Sequence, residues 1–359
     1  MRALKATFNT KAFSSNLSKV RSIAPQSKIM AVLKANAYGH GLIEAARALS
    51  SAEGFSVLSV SEAIELREYG FDQHILLLEG FFSAYEVKIC SQMNIGAVVH
   101  NTQQIDFINQ TKPKQPINIH LKINTGMNRL GLPSGSIKEL LETLEANPYI
   151  GNIIVMTHFA NADGPIGISR QLALFNSIDC QTMERSVANS AAIIRYPETH
   201  MEWVRPGIML YGASPFEDQT SKDIGLEPVM SLHSKIIAVQ TLEKGQSVGY
   251  GSTFIASKTT RVGIVACGYA DGYPRHAPSG TPVMVNEKLT HTLGRVSMDM
   301  LYVDLNNVPS AGIDSDVELW GTKVLVDEVA KEAKTVGYEL LCAISSSIRV
   351  PMEYANGKK

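Results

Sequence analysis

Between Ile29 and Tyr211 the chain repeats one unit, a short apolar run followed by a longer amphipathic, charge-bearing stretch. The runs are Ile29–Leu33, Phe55–Val60, Ile75–Leu78, Ile95–Val99, Ile117–Ile123, Ile153–Thr157, Ser186–Ala188 and Glu202–Val204, the last two weak on their own. Continuous apolar runs suit strands covered on both faces, and their return every roughly 20–35 residues with helical patterns between them argues for a parallel sheet. In one such pattern, Ser61-Glu62-Ala63-Ile64-Glu65-Leu66-Arg67, Ser61 reads as the N-cap. Eight units fit a closed α/β barrel of the eight-stranded β/α (TIM) type. The competing open, doubly wound sheet lacks its GxGxxG after the first strand.

After Pro228 the pattern changes. Val229–Val239, Arg261–Ala266, Thr281–Val285, Lys288–Arg295, Met300–Asp304 and Asp316–Trp320 read as strands split by Gly, Pro and Asn turns. Helical periodicity returns only at Val326–Ala333. A mostly antiparallel β domain is expected over residues 226–359 and the barrel over 1–225, with Pro215–Pro228 as linker. Residues 1–10, which hold the strand-like Ala3–Phe8, are open to joining the β domain. A chain of 359 residues accommodates both, because such a barrel takes roughly 250.

A net charge of −1 gives no general attraction to nucleic acid or anionic membranes, so any anion must be held locally. The first residues carry charge but no apolar stretch, and no window approaches a membrane span, so a cytoplasmic location is expected. Cys90, Cys180, Cys267 and Cys342 lie far apart, and the histidines form no HExxH, so no metal is expected.

The first strand ends in Lys34-Ala35-Asn36-Ala37-Tyr38-Gly39-His40-Gly41. That places Lys34 at the carboxyl end of a barrel strand, the end that carries active sites. A lysine desolvated on an apolar wall becomes nucleophilic and can form a Schiff base with an aldehyde cofactor. This octapeptide is similar to the cofactor-lysine signature of the alanine racemase family, and the likeness continues along nearly the whole chain in the family's order. The resemblance implies a fold-type-III enzyme in which Lys34 carries pyridoxal phosphate and is one of two proton-transfer bases, with Tyr38 on the phosphate.

The further motifs resemble the family's in turn. In Leu121-Lys122-Ile123-Asn124-Thr125-Gly126-Met127-Asn128-Arg129, the resemblance implies that Arg129 meets the cofactor's phenolic oxygen near the substrate carboxylate. It implies that Lys122, carbamylated in many members, orients Arg129; Asn124 stands where Asp is common. His158 in Thr157-His158-Phe159-Ala160-Asn161 is implied to lie near the cofactor ring and to hydrogen-bond Arg205. Asn189-Ser190 precedes a helix pattern, a sound place for an anion. In the string Trp203-Val204-Arg205-Pro206-Gly207-Ile208, the N–H groups of Gly207 and Ile208 are implied to cradle the phosphate, and Arg205 to meet the pyridine nitrogen. An arginine cannot give up its proton near neutrality, so it keeps that nitrogen unprotonated and disfavours transamination.

Racemisation needs a proton taken from one face and delivered on the other. Tyr250, in Val248-Gly249-Tyr250-Gly251-Ser252, is implied to be the base opposite Lys34. Tyr269, Met298 and Asp299 resemble residues that reach a neighbouring subunit's site: Tyr269 at the substrate entrance, Met298 on the carboxylate through its N–H, and Asp299 as support. The resemblance therefore implies an alanine racemase working as a homodimer with shared sites and supplying D-alanine for peptidoglycan. The rivals are a serine or lysine racemase, a basic amino-acid decarboxylase, and a non-catalytic pyridoxal-phosphate carrier. One departure stands out: where many members have a phosphate-binding tyrosine before Arg-Val-Pro, this chain has Ser346-Ser347-Ile348 before Arg349-Val350-Pro351, leaving Ser347 as the nearby hydroxyl.

Overall fold

The computed structural model describes residues 2–345 and 349–355. It divides into two compact units: Leu17–Ala37 with Leu42–Leu210, and Met1–Asn16 with Tyr38–Gly41 and Tyr211–Lys359.

The first unit is a barrel. Its strands are Lys28–Val32, Gly54–Val57, His74–Leu77, Ile95–Val99, Ile117–Asn124, Ile150–Met156, Glu184–Asn189 and Trp203–Arg205. Neighbours pair in parallel, and Trp203↔Lys28 and Val204↔Ile29 close the ring. The eight apolar runs are therefore the eight strands of the expected β/α barrel. Met30, Leu76, Val98, Ile154, Met156 and Trp203 form a buried cluster. The seventh run is weak because its polar residues have assigned partners rather than apolar packing: Glu184 accepts from Trp203 Nε1, Arg185 pairs with Glu202, and Ser186 receives Arg205.

The second helix pattern begins earlier than read from sequence. The helix is Val60–Glu68 and its cap is Ser59, not Ser61. Ser59 Oγ accepts from Glu62 N while the Glu62 carboxylate accepts from Ser59 N, a reciprocal pair that needs the acid three residues after the cap. Ser61 sits only one residue before Glu62, inside the first turn.

The second unit is built on the thirteen-residue strand Met230–Leu242. Its first half pairs antiparallel with Lys5–Asn9 and with Asp316–Trp320, and its second half with Thr260–Val265. From there the pairing runs through Leu301–Asp304, Lys288–Leu293 and Pro282–Val285 back to Asp316–Trp320, closing an antiparallel ring. The sequence reading missed the helix Gly337–Ser345, the strand Met352–Ala355 and the short paired strands Ser247–Val248 and Phe254–Ile255. Met352–Ala355 pairs in parallel with Lys5–Asn9, and Tyr354 stacks on Phe8 at 4.8 Å. No helix among the described residues is long and apolar enough to cross a membrane.

Candidate active site

Side chains two apart on a strand share a face. On the first barrel strand this puts Met30 and Val32 in one column, with Lys34 two residues beyond the strand's end, and on the fifth His120 and Lys122. The carboxyl ends of these columns therefore bring lysines to the barrel mouth. The backbone turns sharply after Lys34. Ala35, Asn36, Ala37 and Tyr38 all have φ between 49° and 56°, a left-handed helical turn without glycine. Such a conformation costs about 1 kcal/mol or more per residue, and it persists because it is held: Ala37 N–H donates to Leu33 O at 2.8 Å and Leu42 N–H to Asn36 Oδ1 at 2.8 Å. Lys34 itself is half-buried rather than buried, as befits a residue at the rim.

Arg205 is the most constrained group in the barrel. It is buried, and burial pulls its pKa down to about 10, which leaves it charged at neutral pH. Nη1 donates to Ser186 O (2.5 Å) and Ser186 Oγ (2.8 Å); Nη2 donates to Thr157 O (2.7 Å) and lies 3.5 Å from His158 Nδ1. The pairing of the last two strands shifts register between Trp203 and Arg205, a local bulge that re-aims the strand ends. Burial, then the charges of Arg205, Lys122, Arg129 and Lys34, push His158 well below the usual imidazole range, so it is neutral. Beside Arg205, Nδ1 is the lone-pair nitrogen and Nε2 carries the proton.

Lys122 is buried, and burial first, then repulsion from Arg205, Arg129 and Lys34, lowers its pKa to about 8; Glu79 opposes the shift. The mouth thus concentrates positive charge from Lys34, Lys122, Arg129 and Arg205, an arrangement that favours an anionic ligand. Arg129 is exposed at the end of a turn ordered by Asn124. Asn124 Oδ1 accepts from Gly126 N and Asn128 N, and its Nδ2 donates to Asn128 Oδ1. An aspartate could supply only the acceptor, so the unusual asparagine is matched to Asn128.

Ser190 Oγ accepts from Gly207 N–H at 2.9 Å, which orients the hydroxyl and leaves its proton to donate. The Asn189 side chain caps the Ser190–Arg195 helix by accepting from Ala192 N. Gly207 N–H is thus already spoken for by Ser190, and Asn189 Oδ1 by the cap. Ile208 is buried immediately beyond.

The remaining sequence candidates lie in the second unit. Tyr38 is buried against Tyr211, with ring centroids at 4.6 Å, and burial followed by Tyr338 and Cys342 raises its hydroxyl well above the usual range. Tyr250 is 72% exposed, on a turn flanked by Gly249 (φ 78°) and Gly251 (φ 72°). Tyr269 and Met298 sit on two segments zipped together by Tyr269 N→Ser297 O and Ala270 N→Met298 O. A Cβ at Gly268 would collide with the Met298 carbonyl, so only glycine permits this approach. Asp299 pairs with Arg349, and buried Asp271 with Arg2 and Arg349. The expectation placed on Ser346, Ser347 and Ile348 lies outside the described residues. Sequence reasoning also missed Glu79, Gln171 and the hydroxyls of Thr125 and Thr157. Their only signal was a threonine directly after each of two strands.

A family model described as alanine racemase, N-terminal domain, matches residues 8–215, and one described as alanine racemase, C-terminal domain, matches 229–354. An alanine racemase of Nitrosospira multiformis is 51% identical over 348 residues, 96% of this chain and 98% of that protein. The structure of a biosynthetic alanine racemase from Pseudomonas aeruginosa superposes with a TM-score of 0.94 at 42% identity, covering 99% of this chain and all of that one. The alanine racemase of Bartonella henselae, solved with covalently bound pyridoxal phosphate, has a TM-score of 0.88 at 26% identity over 99% of this chain and 100% of that one.

Proposed function

The chain belongs to the alanine racemase family, and from that premise we propose that it interconverts L- and D-alanine with pyridoxal phosphate. The observation that carries the reading is the cationic barrel mouth, where Lys34, Lys122, Arg129 and Arg205 surround neutral His158. The donor set fits the cofactor: a lysine amine for its aldehyde, a guanidinium for its ring nitrogen, and an oriented serine hydroxyl for its phosphate. The Ser190 hydroxyl, oriented by Gly207 N–H, and the N–H of Ile208 hold the phosphate, with Asn189 shaping that turn and Tyr38 adding its hydroxyl. When bound, the cofactor acidifies the α-proton of the amino acid.

The chain's own residues do the rest. Lys34 Nζ takes or returns the α-proton on one face, and Tyr250 Oη on the other. Arg205, buried and pinned by carbonyls, stays protonated and keeps its ring partner unprotonated, which leaves the two bases to control the proton. Arg129 pairs with the substrate carboxylate. Lys122, with its lowered pKa, has the free amine needed for carbamylation, and the resulting anion would offset its cationic neighbours and steady Arg129. The exposure of Tyr250 on its own unit supports a homodimer in which each β domain completes the partner's site through Tyr250, Tyr269 and Met298, with Asp299 behind them. We assign cofactor chemistry to the barrel unit, Leu17–Ala37 with Leu42–Leu210, and completion of a partner's site to the β unit, which takes in the first ten residues and also 211–225, in a cytoplasmic enzyme that supplies D-alanine for peptidoglycan.

The test is proton NMR of L-alanine in D2O with cofactor-loaded protein, plus a chiral assay on the same tube. α-Deuterium and D-alanine appearing together support two bases. Deuterium without D-alanine removes the Tyr250 assignment. If neither appears, alanine is not the substrate. Tyr250→Phe should keep the cofactor and lose about a hundredfold or more in turnover.

A further inference from the structure

The fifth and sixth barrel strands are followed directly by Thr125 and Thr157, and both hydroxyls are buried. Gln171, on the helix Ser169–Asn176, reaches them from outside any motif. Ala160 N–H donates to Gln171 Oε1 at 2.8 Å, which fixes the carboxamide and makes Nε2 the donor side. Its two protons go to Thr125 Oγ1 (3.2 Å) and His158 O (3.2 Å). Thr125, having accepted, gives its own proton to Thr157 Oγ1 at 2.7 Å, and Thr157 Oγ1 donates to Ile123 O at 2.8 Å. Every hydrogen of the chain has one direction. The carbonyl of the same Thr157 receives Arg205 Nη2 at 2.7 Å.

We propose that Gln171 is a positioning residue for racemisation, holding through the Thr125 and Thr157 hydroxyls the main chain of residues 157–160 on which Arg205 and His158 are set. The inference rests on the racemase reading above. No member of the chain titrates, so it acts by geometry rather than by charge. A side chain of the same length that donates from one end and accepts at the other is required. Glutamate would set a carboxylate oxygen against the His158 carbonyl and leave Thr125 without its donor. Methionine would take their Gln171 partner from Ala160 N–H and His158 O and leave Thr125 Oγ1 without its donor, bonded to Thr157 alone.

The test compares Gln171→Met, Gln171→Glu, Thr125→Val and Thr125→Ser with the wild type. Pyridoxal phosphate affinity of the apoprotein is read by fluorescence titration, kcat and KM with L-alanine after loading, and Tm by circular dichroism. Misplacing the groups that orient a reacting centre costs on the order of tenfold to a hundredfold. Gln171→Met, Gln171→Glu and Thr125→Val should each show that fall in kcat and a cofactor dissociation constant raised about tenfold. Thr125→Ser, which keeps the hydroxyl, should behave as wild type in both. If Thr125→Val and Thr125→Ser match in affinity and kcat and differ only in Tm, the chain is merely structural and the proposal falls. If wild-type protein binds the cofactor but does not racemise alanine, the functional reading fails, while the affinity series still decides the role of Gln171.

Discussion

The two ends of the barrel are built on the same strands and from similar residues, yet they are electrostatic opposites. At the amino ends, Lys28 pairs with Glu184 at 2.5 Å, Trp203 Nε1 donates to the same carboxylate at 2.7 Å, and the lysine lies 5.3 Å from the Trp203 ring. His74 and His120 stack at 5.4 Å and share a hydrogen bond between their Nε2 atoms. Charge there is balanced side by side. At the carboxyl ends, Lys122 and Arg205 follow His120 and Trp203 on their strands, Lys34 comes just past the strand that Lys28 opens, and Glu79 is the acid that opposes Lys122. Moving two residues along a strand from His120 to Lys122, or from Trp203 to Arg205, is enough to pass from one regime to the other. The difference teaches that function here is not a special fold feature but an imbalance left at one mouth, consistent with stability residing at the amino end of such barrels and chemistry at the carboxyl end.

The sharpest break of this comparison is Lys34→Ala. If Lys34 carries the cofactor and acts as one base, as proposed, removing both roles together should lower kcat about 10⁴-fold or more, each role alone being worth orders of magnitude. Gel filtration should show cofactor lost from the variant, and the apoprotein's Tm should hardly move. Retained turnover would remove Lys34 from the chemistry. Arg205→Met comes next. It strips a donor from the Thr157 carbonyl and the Ser186 hydroxyl, while the Ser186 carbonyl keeps Thr157 N–H, at about 1–3 kcal/mol for each buried group left unpaired. The expected result is a lower Tm together with a kcat reduced about a hundredfold, read by denaturation and by the racemisation assay.

How far these two mouths could be read from sequence differs for a physical reason. The barrel was legible because a parallel strand must be apolar on both faces, which writes a continuous run such as Ile95–Val99 into the chain. The place of Lys34 at the barrel mouth was legible because it follows such a run, while the roles proposed for Lys34, Arg205 and Tyr250 come from motifs that resemble a family. The extent of the helix after Ser59 was misread by two residues because two serines compete and only the spacing to Glu62 decides. Gln171 was not legible at all: its partners Thr125, His158 and Ala160 come from two loops that the strand order brings together. The same holds for the strand Met352–Ala355, whose few residues gain meaning only beside Lys5–Asn9. Asn124 looked like a departure because its partner Asn128 was read as part of the motif and not as its match.

The balanced mouth makes its own prediction under acid. Burial, with Arg67 and Lys28 adding to it and Glu184 opposing, holds His74 at about 4. An unfolded chain takes up that proton near pH 6.5, so the contribution of neutral His74 is complete above pH 6.5 and is lost as pH falls toward 4. The window corresponds to about 3 kcal/mol at most. In urea titrations at pH 7 and pH 4.5, His74→Leu should lose less stability on acidification than wild type does. Equal slopes would mean that the stacked histidines do not resist protonation.

The smallest effect sharpens the comparison most. Lys28 opens the first barrel strand, and Lys34 follows six residues later, just past its end. Lys28 is about half exposed and its partner Glu184 nearly so, and exposed ion pairs are worth about 0–1 kcal/mol and less in salt. Lys28→Met should therefore cost under about 1 kcal/mol in urea denaturation, with the difference shrinking further at high ionic strength, and should leave kcat and cofactor affinity unchanged. Trp203 keeps its hydrogen bond to Glu184 without the lysine, so the carboxylate retains a partner. If Lys28→Met instead depressed turnover, the amino mouth would be coupled to the carboxyl mouth through the column Met30–Val32. The imbalance at the top would then belong to the whole barrel and not to its rim.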